Sequence, residues 1–394
     1  MIVIAGKNEI AVHGLKLALD FFKVEDVVVV VNATDSGKDD WQPSLLKCAL
    51  ESGVAVKTIE EIYALNVDVF ISLEFDKIVQ VERIGTDKVF NIHFSLLPKY
   101  KGMYTSIWPV LFGDKESGVT LHHMDSGIDT GAVYSQKKFM LDPQDRSQDC
   151  YRKYISASKA LLTENFEYIV NGFPVAPSMQ VAEYSSYYSR SALDFKEVKI
   201  DFRKCSWEVK RQIHAFGFRP YQFLTFDGRP VVNAEILHKR SHLKPGVIVD
   251  QSCPHSVTVA TVDYDIKLFY DRLAQVLIDI PTMDILDLPI AMQSIAGVND
   301  RNEKGWSPII VAAYYGRLDI VMFLLQCGAD INDTNYKGTT LLMYAKDYAL
   351  KSGDASIVKF LLASGADRNL RDFEGKTIYQ YVTSAEADFL GLNK

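Results

Sequence analysis

Two polar side chains at the end of one predicted strand are the first candidates for chemistry. The segment "VFNIHF" (89–94) is apolar except at Asn91 and His93. Because successive side chains of a strand point to opposite faces, residues two apart share a face. A glycine-rich loop, "DSGIDTG" (125–131), follows and carries Asp129, whose carboxylate could reach His93. An amide, an imidazole and a carboxylate in one place predict a polar site that is a candidate for catalysis.

The elements around these residues predict an α/β fold with a mostly parallel, Rossmann-like sheet. Such strands are apolar along their whole length because helices cover both faces of the sheet. Ligands bind beyond the carboxyl ends of such strands, where His93 is predicted to lie. The predicted strands are 2–6, 27–32, 67–73 and 89–94, and helices are predicted over 9–21, 43–53 and 146–170.

The opening "AGKNEIAVHG" lacks the G-x-G-x-x-G pattern, and the chain contains no G-x-x-x-x-G-K-[ST]. Classical dinucleotide or P-loop binding is therefore not supported. Residues 199–270 combine one short helix with strand-like stretches, which predicts a small β-rich subdomain.

The last hundred residues repeat a pattern of about 33 residues, typical of ankyrin repeats. The openings at Gly305 and Gly338 are 33 residues apart, and both complete units close on "LLxxGAD". We therefore predict three domains: a catalytic domain over 1–180, a β-rich subdomain over 181–280 and a short ankyrin-repeat array over 281–394.

The bulk composition narrows the class of protein. The 394 residues are 48% hydrophobic, with a net charge of −7. This acidic balance argues against a nucleic-acid substrate, since phosphate backbones are bound by basic surfaces. No apolar run approaches the roughly 20 residues that span a bilayer. The five cysteines form no C-x-x-C pair, so we expect reduced thiols, a cytoplasmic location and no metal. The neighbours His122 and His123 are read as one buried and one solvated side chain.

The two polar segments also resemble a known family. "N-x-H-x-S-L-L-P-x-Y-x-G" (91–102), followed by "D-x-G-x-D-T-G" (125–131), resembles the folate-dependent formyltransferases. The resemblance implies that Asn91, His93 and Asp129 are catalytic, that N10-formyltetrahydrofolate is the formyl donor and that no metal is needed. It leaves open whether His93 or Asp129 accepts the proton of the attacking amine.

The same resemblance implies where the folate lies. The pterin would bind beside the strand that precedes the catalytic motif and beside the loop that carries Asp129. Ordinary core packing is the alternative for the apolar members of this set. The implied cofactor-binding residues are Ser72, Leu73, Glu74, Phe75, Asp125 and Gly127.

Within the family, the regions after residue 180 resemble those of bacterial sugar N-formyltransferases of O-antigen pathways. The implied acceptor is a dTDP-linked dideoxy amino sugar, with 3-amino-3,6-dideoxyglucose preferred. The 4-amino isomer and a methionyl-tRNA formyltransferase activity are the alternatives. The implied substrate-binding residues are Lys77, Met103, Arg190, Tyr221 and Phe223.

The repeat array allows two interpretations. Trp306 occupies a position where ankyrin repeats usually have threonine, so it could stack on a second ligand or on a protein partner. Structural packing is the other interpretation, and a catalytically inert scaffold is the competing function for the whole chain. We expect a homodimer that binds neither nucleic acid nor membrane.

Overall fold

The computed structural model describes residues 1–219 and 221–393, whose contacts group into two compact units. The first unit contains Met1–Val198 together with His214–Phe218. The second contains Lys199–Ile213 together with the described residues from Arg219 onwards. The three domain boundaries expected from the sequence stay predictions.

A mixed sheet organises the first unit. Its strands lie in the order β3-β2-β1-β4-β5-β7-β8, parallel from β3 to β5 and antiparallel for the last two pairs. The short strand β6 pairs with β9 outside this sheet. The strands are β1 Ile2–Gly6, β2 Val27–Val31, β3 Ala55–Val56, β4 Val69–Leu73, β5 Val89–His93, β6 Lys101–Gly102, β7 Glu116–His123, β8 Val133–Met140 and β9 Tyr187–Tyr188.

Helices pack on this sheet, as the alternation of strand and helix patterns predicted. Capping residues fix the first turns: Ser44 accepts a hydrogen bond from Lys47 N, and Thr58 forms a capping box with Glu61. The second predicted helix therefore starts after Ser44 rather than at Pro43. The helices are α1 Asn8–Phe21, α2 Leu45–Glu51, α3 Ile59–Ile62, α4 Trp108–Phe112 and α5 Ser147–Asn171.

Helix α5 shows why this architecture is stable. It buries Cys150, Tyr154, Ala157 and Leu161, which are spaced three or four residues apart and so form one stripe. The α/β fold with a mostly parallel central sheet is confirmed, and its antiparallel edge carries β7 and β8.

The second unit contains most of a helix, α6 Ser206–Ala215, and an antiparallel sheet in the order β10-β11-β14-β13-β12. Asp227 and Gly228 join its first hairpin, with φ angles of 48° and 71°. Positive φ at both central residues is what a two-residue type I′ turn requires. The strands are β10 Thr225–Phe226, β11 Arg229–Ile236, β12 Ile248–Asp250, β13 Ser256–Val259 and β14 Ile266–Tyr270.

Helix pairs then stack to form the repeat array. Gly305 makes the close stacking possible, because a Cβ there would lie 2.4 Å from Tyr336 N. Ser307 caps the helix that follows by accepting a hydrogen bond from Ile310 N. The helices are α7 Leu273–Asp279, α8 Leu288–Met292, α9 Pro308–Tyr314, α10 Leu318–Gln326, α11 Leu341–Ser352, α12 Ser356–Ala363 and α13 Ser384–Leu390.

None of the helices within residues 1–219 and 221–393 is both long enough and apolar enough to cross a membrane.

Candidate active site

The two polar residues of β5 lie at the edge of the central sheet where its parallel strands end. Asn91 lies beside Ser72 of β4 and opposite His122 of β7. His93 is the last residue of β5 and is buried. Because it is two residues from Asn91, it shares a face of the sheet with that amide. The end of β5 therefore presents an amide and an imidazole side by side.

Asp129 enters from the loop between β7 and β8 and contacts both residues. Its Oδ2 lies 3.4 Å from His93 Nδ1, and its Oδ1 lies 3.5 Å from Asn91 Nδ2. The Asp129 backbone has a φ of 54°. This left-handed conformation is uncommon outside glycine, although aspartate and asparagine adopt it more readily than other residues. The structure thus brings the three predicted catalytic residues into one cluster.

Two glycines allow the Asp129 loop to take its path. A Cβ on Gly131 would lie 1.9 Å from the carbonyl oxygen of His123, which is backbone and cannot move aside cheaply. A Cβ on Gly127 would lie 2.1 Å from Thr130 Oγ1. Asp125 Oδ1 closes the turn by accepting hydrogen bonds from Gly127 N at 3.0 Å and from Thr130 Oγ1 at 2.6 Å. Gly131 is therefore a steric requirement of the loop, whereas a side chain at Gly127 would displace the side chain of Thr130.

A second loop fixes the orientation of the imidazole and the carboxylate. His93 Nε2 lies 2.9 Å from the carbonyl oxygen of Tyr100. Because that oxygen can only accept, Nε2 carries the hydrogen and Nδ1 faces Asp129. The backbone N–H of Gly102 donates to Asp129 Oδ2 at 2.9 Å. The stretch from Tyr100 to Gly102 thus accepts a hydrogen bond from His93 and donates one to Asp129.

The surroundings keep Asp129 ionised. Burial by itself would raise the pKa of this carboxyl group, but the interactions with His93 and His122 and the hydrogen bond from Gly102 outweigh it. The pKa of Asp129 is therefore well below its ordinary value. An ionised carboxylate at this position can orient His93 and stabilise its charged form.

The cluster has a fourth member, His122, for which the sequence pattern predicted no role beyond one buried and one solvated side chain in the pair His122 and His123. Its Nδ1 donates to the carbonyl oxygen of His123 at 2.7 Å, so Nε2 is left as an acceptor. Asn91 Nδ2 lies 3.0 Å from that Nε2. His122 also lies close to Asp129, with Nε2 3.7 Å from Oδ1. The sequence contains no local signal for this role, because it arises from the antiparallel pairing of β5 with β7.

Family models match two parts of the chain. The "Formyl transferase" model matches residues 28–165, which include β5 and the Asp129 loop. The "Ankyrin repeats (3 copies)" model matches residues 282–372. The array predicted from the repeat spacing is therefore confirmed.

Two solved structures are similar over most of their own length. The N-formyltransferase from Helicobacter canadensis, solved with folinic acid and dTDP-3-aminofucose, is 38% identical, with a TM-score of 0.63. The alignment covers 68% of this chain and 98% of that protein. WlaRD, a sugar 3N-formyl transferase solved with dTDP and 5-N-formyl-THF, is 37% identical, with a TM-score of 0.62. That alignment covers 68% of this chain and 97% of WlaRD.

The chain belongs to the folate-dependent N-formyltransferase family.

Curated relatives agree with this family and are more distant. A methionyl-tRNA formyltransferase from Coxiella burnetii is 28% identical over 195 residues, covering 48% of this chain and 61% of the relative. The chain thus spans about three fifths of the length of that protein. The methionyl-tRNA formyltransferase of Clostridium tetani is 28% identical over 277 residues, covering 66% of this chain and 88% of the relative. The formyl donor of the family is N10-formyltetrahydrofolate.

The residues that the resemblance implies for folate binding in this N-formyltransferase lie at the same sheet edge. Ser72 and Leu73 end β4, and the side chain of Leu73 is fully buried in the core. The carbonyl oxygen of Leu73 accepts a hydrogen bond from Lys7 N at 3.2 Å. Phe75 is half-buried and packs against a core cluster. Leu73 and Phe75 therefore make packing contacts, and their contact with folate stays a prediction.

Glu74 is the most perturbed acid of this group. Its backbone has a φ of 58°, and its carboxyl oxygens accept hydrogen bonds from Asn8 Nδ2 at 3.2 Å and from the Tyr151 hydroxyl at 3.0 Å. Burial of the carboxyl group raises the pKa of Glu74 to about 7, although the charge of Lys7 and these hydrogen bonds oppose the shift. A carboxyl group with a pKa near 7, at the edge where sheets of this kind bind ligands, is typical of functional sites.

Three of the predicted substrate-binding residues belong to the same unit as the catalytic cluster. Lys77 and Arg190 are exposed. Met103 is 44% exposed, and its backbone is held by Tyr188 O, which accepts from Met103 N at 2.8 Å. Exposed cations could meet a pyrophosphate, but their role stays a prediction.

The other proposed ligand contacts lie in the second unit. Tyr221 is 60% exposed, and the guanidinium of Arg219 lies 4.9 Å from the centre of the Phe223 ring. Trp306 is half-buried and packs against the core of the repeat array, with Tyr314 and Tyr344 each 6.0 Å away between ring centres. The packing interpretation of Trp306 therefore has direct support.

Within the part of the chain that the structure describes, histidines, cysteines and carboxylates form no group of three or more that could hold a metal ion.

Proposed function

We propose that this N-formyltransferase moves a formyl group from N10-formyltetrahydrofolate to the amino group of a dTDP-linked dideoxy amino sugar. The observation that carries the proposal is the 38% identity, across 98% of its length, to a relative solved with dTDP-3-aminofucose. Because the second relative is a sugar 3N-formyl transferase, 3-amino-3,6-dideoxyglucose is the preferred sugar.

The chemistry of the cluster fits this transfer. The neutral amine attacks the formyl carbon, a C–N bond forms, and the amine must lose a proton as the bond from the formyl carbon to folate N10 breaks. His93 Nδ1 is the basic atom of the cluster that faces Asp129, since Nε2 is held by Tyr100. We assign proton acceptance to His93 Nδ1, with Asp129 ionised beside it to stabilise the resulting imidazolium. The proton can then return to the leaving nitrogen, N10.

Asn91 is assigned to the tetrahedral intermediate. A side-chain N–H donated to an oxyanion contributes about 3 kcal/mol in related cases. In the free enzyme both N–H bonds of Asn91 face other groups, His122 Nε2 and Asp129 Oδ1. The proposed role therefore requires Asn91 to release its long contact with Asp129 as the oxyanion develops.

A direct assay tests the substrate assignment. The protein would be incubated with N10-formyltetrahydrofolate and a panel of dTDP-linked 3-amino and 4-amino dideoxy sugars, with charged initiator tRNA as control. We expect formylation of the 3-amino sugars, detected by mass spectrometry of the nucleotide sugar. Transfer only to the 4-amino sugars would show that the acceptor amine is at position 4 of the sugar ring and not at position 3. Transfer only to tRNA would overturn the sugar assignment.

Two alternatives have specific support. Methionyl-tRNA formyltransferase is favoured by the curated relatives at 28% identity. The inert scaffold is favoured by the repeat array alone, and absence of transfer to every acceptor would support it. The cluster of Asn91, His93 and Asp129 argues against a scaffold.

We also propose that the array contributes a second ligand or protein contact at Trp306. Unchanged saturation kinetics and unchanged stoichiometry of nucleotide-sugar binding in Trp306→Ala would refute it. The homodimer, the cytoplasmic location and the role in O-antigen synthesis stay predictions.

A further inference from the structure

The loop that orients the catalytic cluster is held from outside the central sheet. Its strand β6 pairs in parallel with β9, with Lys101 opposite Tyr187 and Gly102 opposite Tyr188. Lys101 N donates to Ser186 O at 2.9 Å, and Met103 N donates to Tyr188 O at 2.8 Å. Residues 186–188, which follow α5 in the chain, thus supply the backbone partners of this loop.

The loop needs such support because its backbone is strained. Tyr100 and Tyr104 have φ angles of 58° and 60°, and Gly102 has a φ of 88°. Non-glycine residues keep a left-handed conformation only where the surrounding structure imposes it. At Gly102 the contact is close, because a Cβ there would lie 2.3 Å from Tyr188 O. The conformation that aims Tyr100 O and Gly102 N at the cluster therefore depends on residues 186–188.

A stacked pair of aromatic rings anchors this contact to the core. The rings of Tyr188 and Trp108 lie 3.9 Å apart between centres, with 19° between their planes. Trp108 is buried at the start of α4, and its Nε1 donates to Met103 O at 2.8 Å. One tryptophan thus holds both sides of the contact: the strand β9 through its ring and the loop through its N–H.

We propose that the stack of Tyr188 on Trp108 is a positioning element of the active site. It fixes the loop 100–103, and through that loop the orientations of His93 and Asp129. This inference rests on the proposed function, since it assigns the reaction to those two residues. Tyr188 is a positioning residue and does not touch the reacting atoms.

The test compares Tyr188→Ala with Tyr188→Phe, which keeps the stacked ring. Tyr184→Ala is the matched control, because Tyr184 lies on the same segment and is 63% exposed. For Tyr188→Ala we expect a kcat about 100-fold lower, with a much smaller change in KM, because a catalytic group is misplaced by about 1 Å. Tyr188→Phe and Tyr184→Ala should retain the wild-type kcat.

A second readout does not depend on the acceptor. The ¹⁵N imidazole resonances of His93 report its hydrogen-bond partners and should change in Tyr188→Ala but not in Tyr184→Ala. Should Tyr188→Ala fail to fold, Trp108→Phe, which keeps a ring but loses the N–H to Met103, takes its place. A wild-type kcat, a loss expressed only in KM, or unchanged His93 resonances would each overturn the inference. If wild-type protein formylates no amino sugar, the proposed function fails while the resonances still decide the positioning role.

Discussion

Two aspartates with little exposure to solvent, one in the catalytic cluster and one in the repeat array, are held in opposite ways. Asp129 faces two histidines and a backbone N–H, and its pKa is lowered despite its burial. Asp333 is fully buried between Arg301 and Ser307, and burial raises its pKa although both partners oppose the shift. Asp129 thus has neighbours that can exchange protons, whereas Asp333 has a partner that is permanently charged. The first arrangement suits catalysis and the second suits the fixed geometry of a repeat.

The backbone shows the same contrast. Strained non-glycine residues at the catalytic edge include Glu74, Tyr100 and Asp129, each with a positive φ. In the array the left-handed positions at the turns are taken by glycines such as Gly305 and Gly338. A left-handed conformation at a residue other than glycine costs free energy, which the rest of the fold must offset. Such a conformation is therefore retained where a side chain is needed at that position.

The largest effect is expected from a substitution that removes the charge of the catalytic aspartate. Asp129→Asn should lower kcat by about 10³- to 10⁴-fold, because an amide cannot stabilise the charged form of His93. Steady-state formyl-transfer kinetics measure this, with circular dichroism to confirm folding. The matched variant Asp333→Asn should keep the wild-type kcat, and equal losses in both variants would erase the distinction between the two aspartates.

The second effect is on stability and concerns the array. Arg301→Met should lower the free energy of unfolding by about 3 to 5 kcal/mol, because Asp333 is left buried without its charged partner. Urea denaturation followed by far-UV circular dichroism measures the change. Arg203→Met is the control: its ion pair with Asp201 spans 2.8 Å, but Arg203 is 85% exposed, so this variant should unfold with nearly the wild-type free energy.

The third effect is a pH dependence carried by Glu74. Its folded-state pKa of about 7 lies above the ordinary value of 4.5, so the folded protein binds this proton more tightly than the unfolded chain. The resulting stability is fully present below about pH 4.5 and is lost as the pH rises to about 7, a change of up to about 3 kcal/mol.

Glu74→Gln should remove that dependence. The measurement is the difference in unfolding free energy between wild type and variant at pH 5 and at pH 8. A difference that stays constant over this range would show that Glu74 is ionised throughout.

The smallest effect is expected from substitutions of His122, the fourth member of the cluster. His122→Phe should lower kcat about 10-fold, because Asn91 loses one orienting hydrogen bond. His122→Gln offers an acceptor in place of Nε2 and should recover most of the activity. If both variants match wild type in kcat, His122 is a buried core residue without influence on Asn91.

The sequence by itself determined the elements and two sides of the site. Runs of apolar residues fixed β1, β2, β4 and β5, since the periodicity of burial is a local property of the chain. The alternation within β5 put Asn91 and His93 on one face, and the spacing of glycines identified both the Asp129 loop and the repeats.

Only the tertiary structure decided which groups complete the site. His122 meets Asn91 because β7 runs antiparallel to β5, and Tyr188 supports the catalytic loop from a segment more than eighty residues along the chain. The pKa of Glu74 rises because the packed structure around it removes the carboxyl group from water, an effect larger than that of the opposing hydrogen bonds from Asn8 and Tyr151. Register, desolvation and long-range hydrogen bonds depend on how distant segments pack, and no local pattern of residue types encodes them.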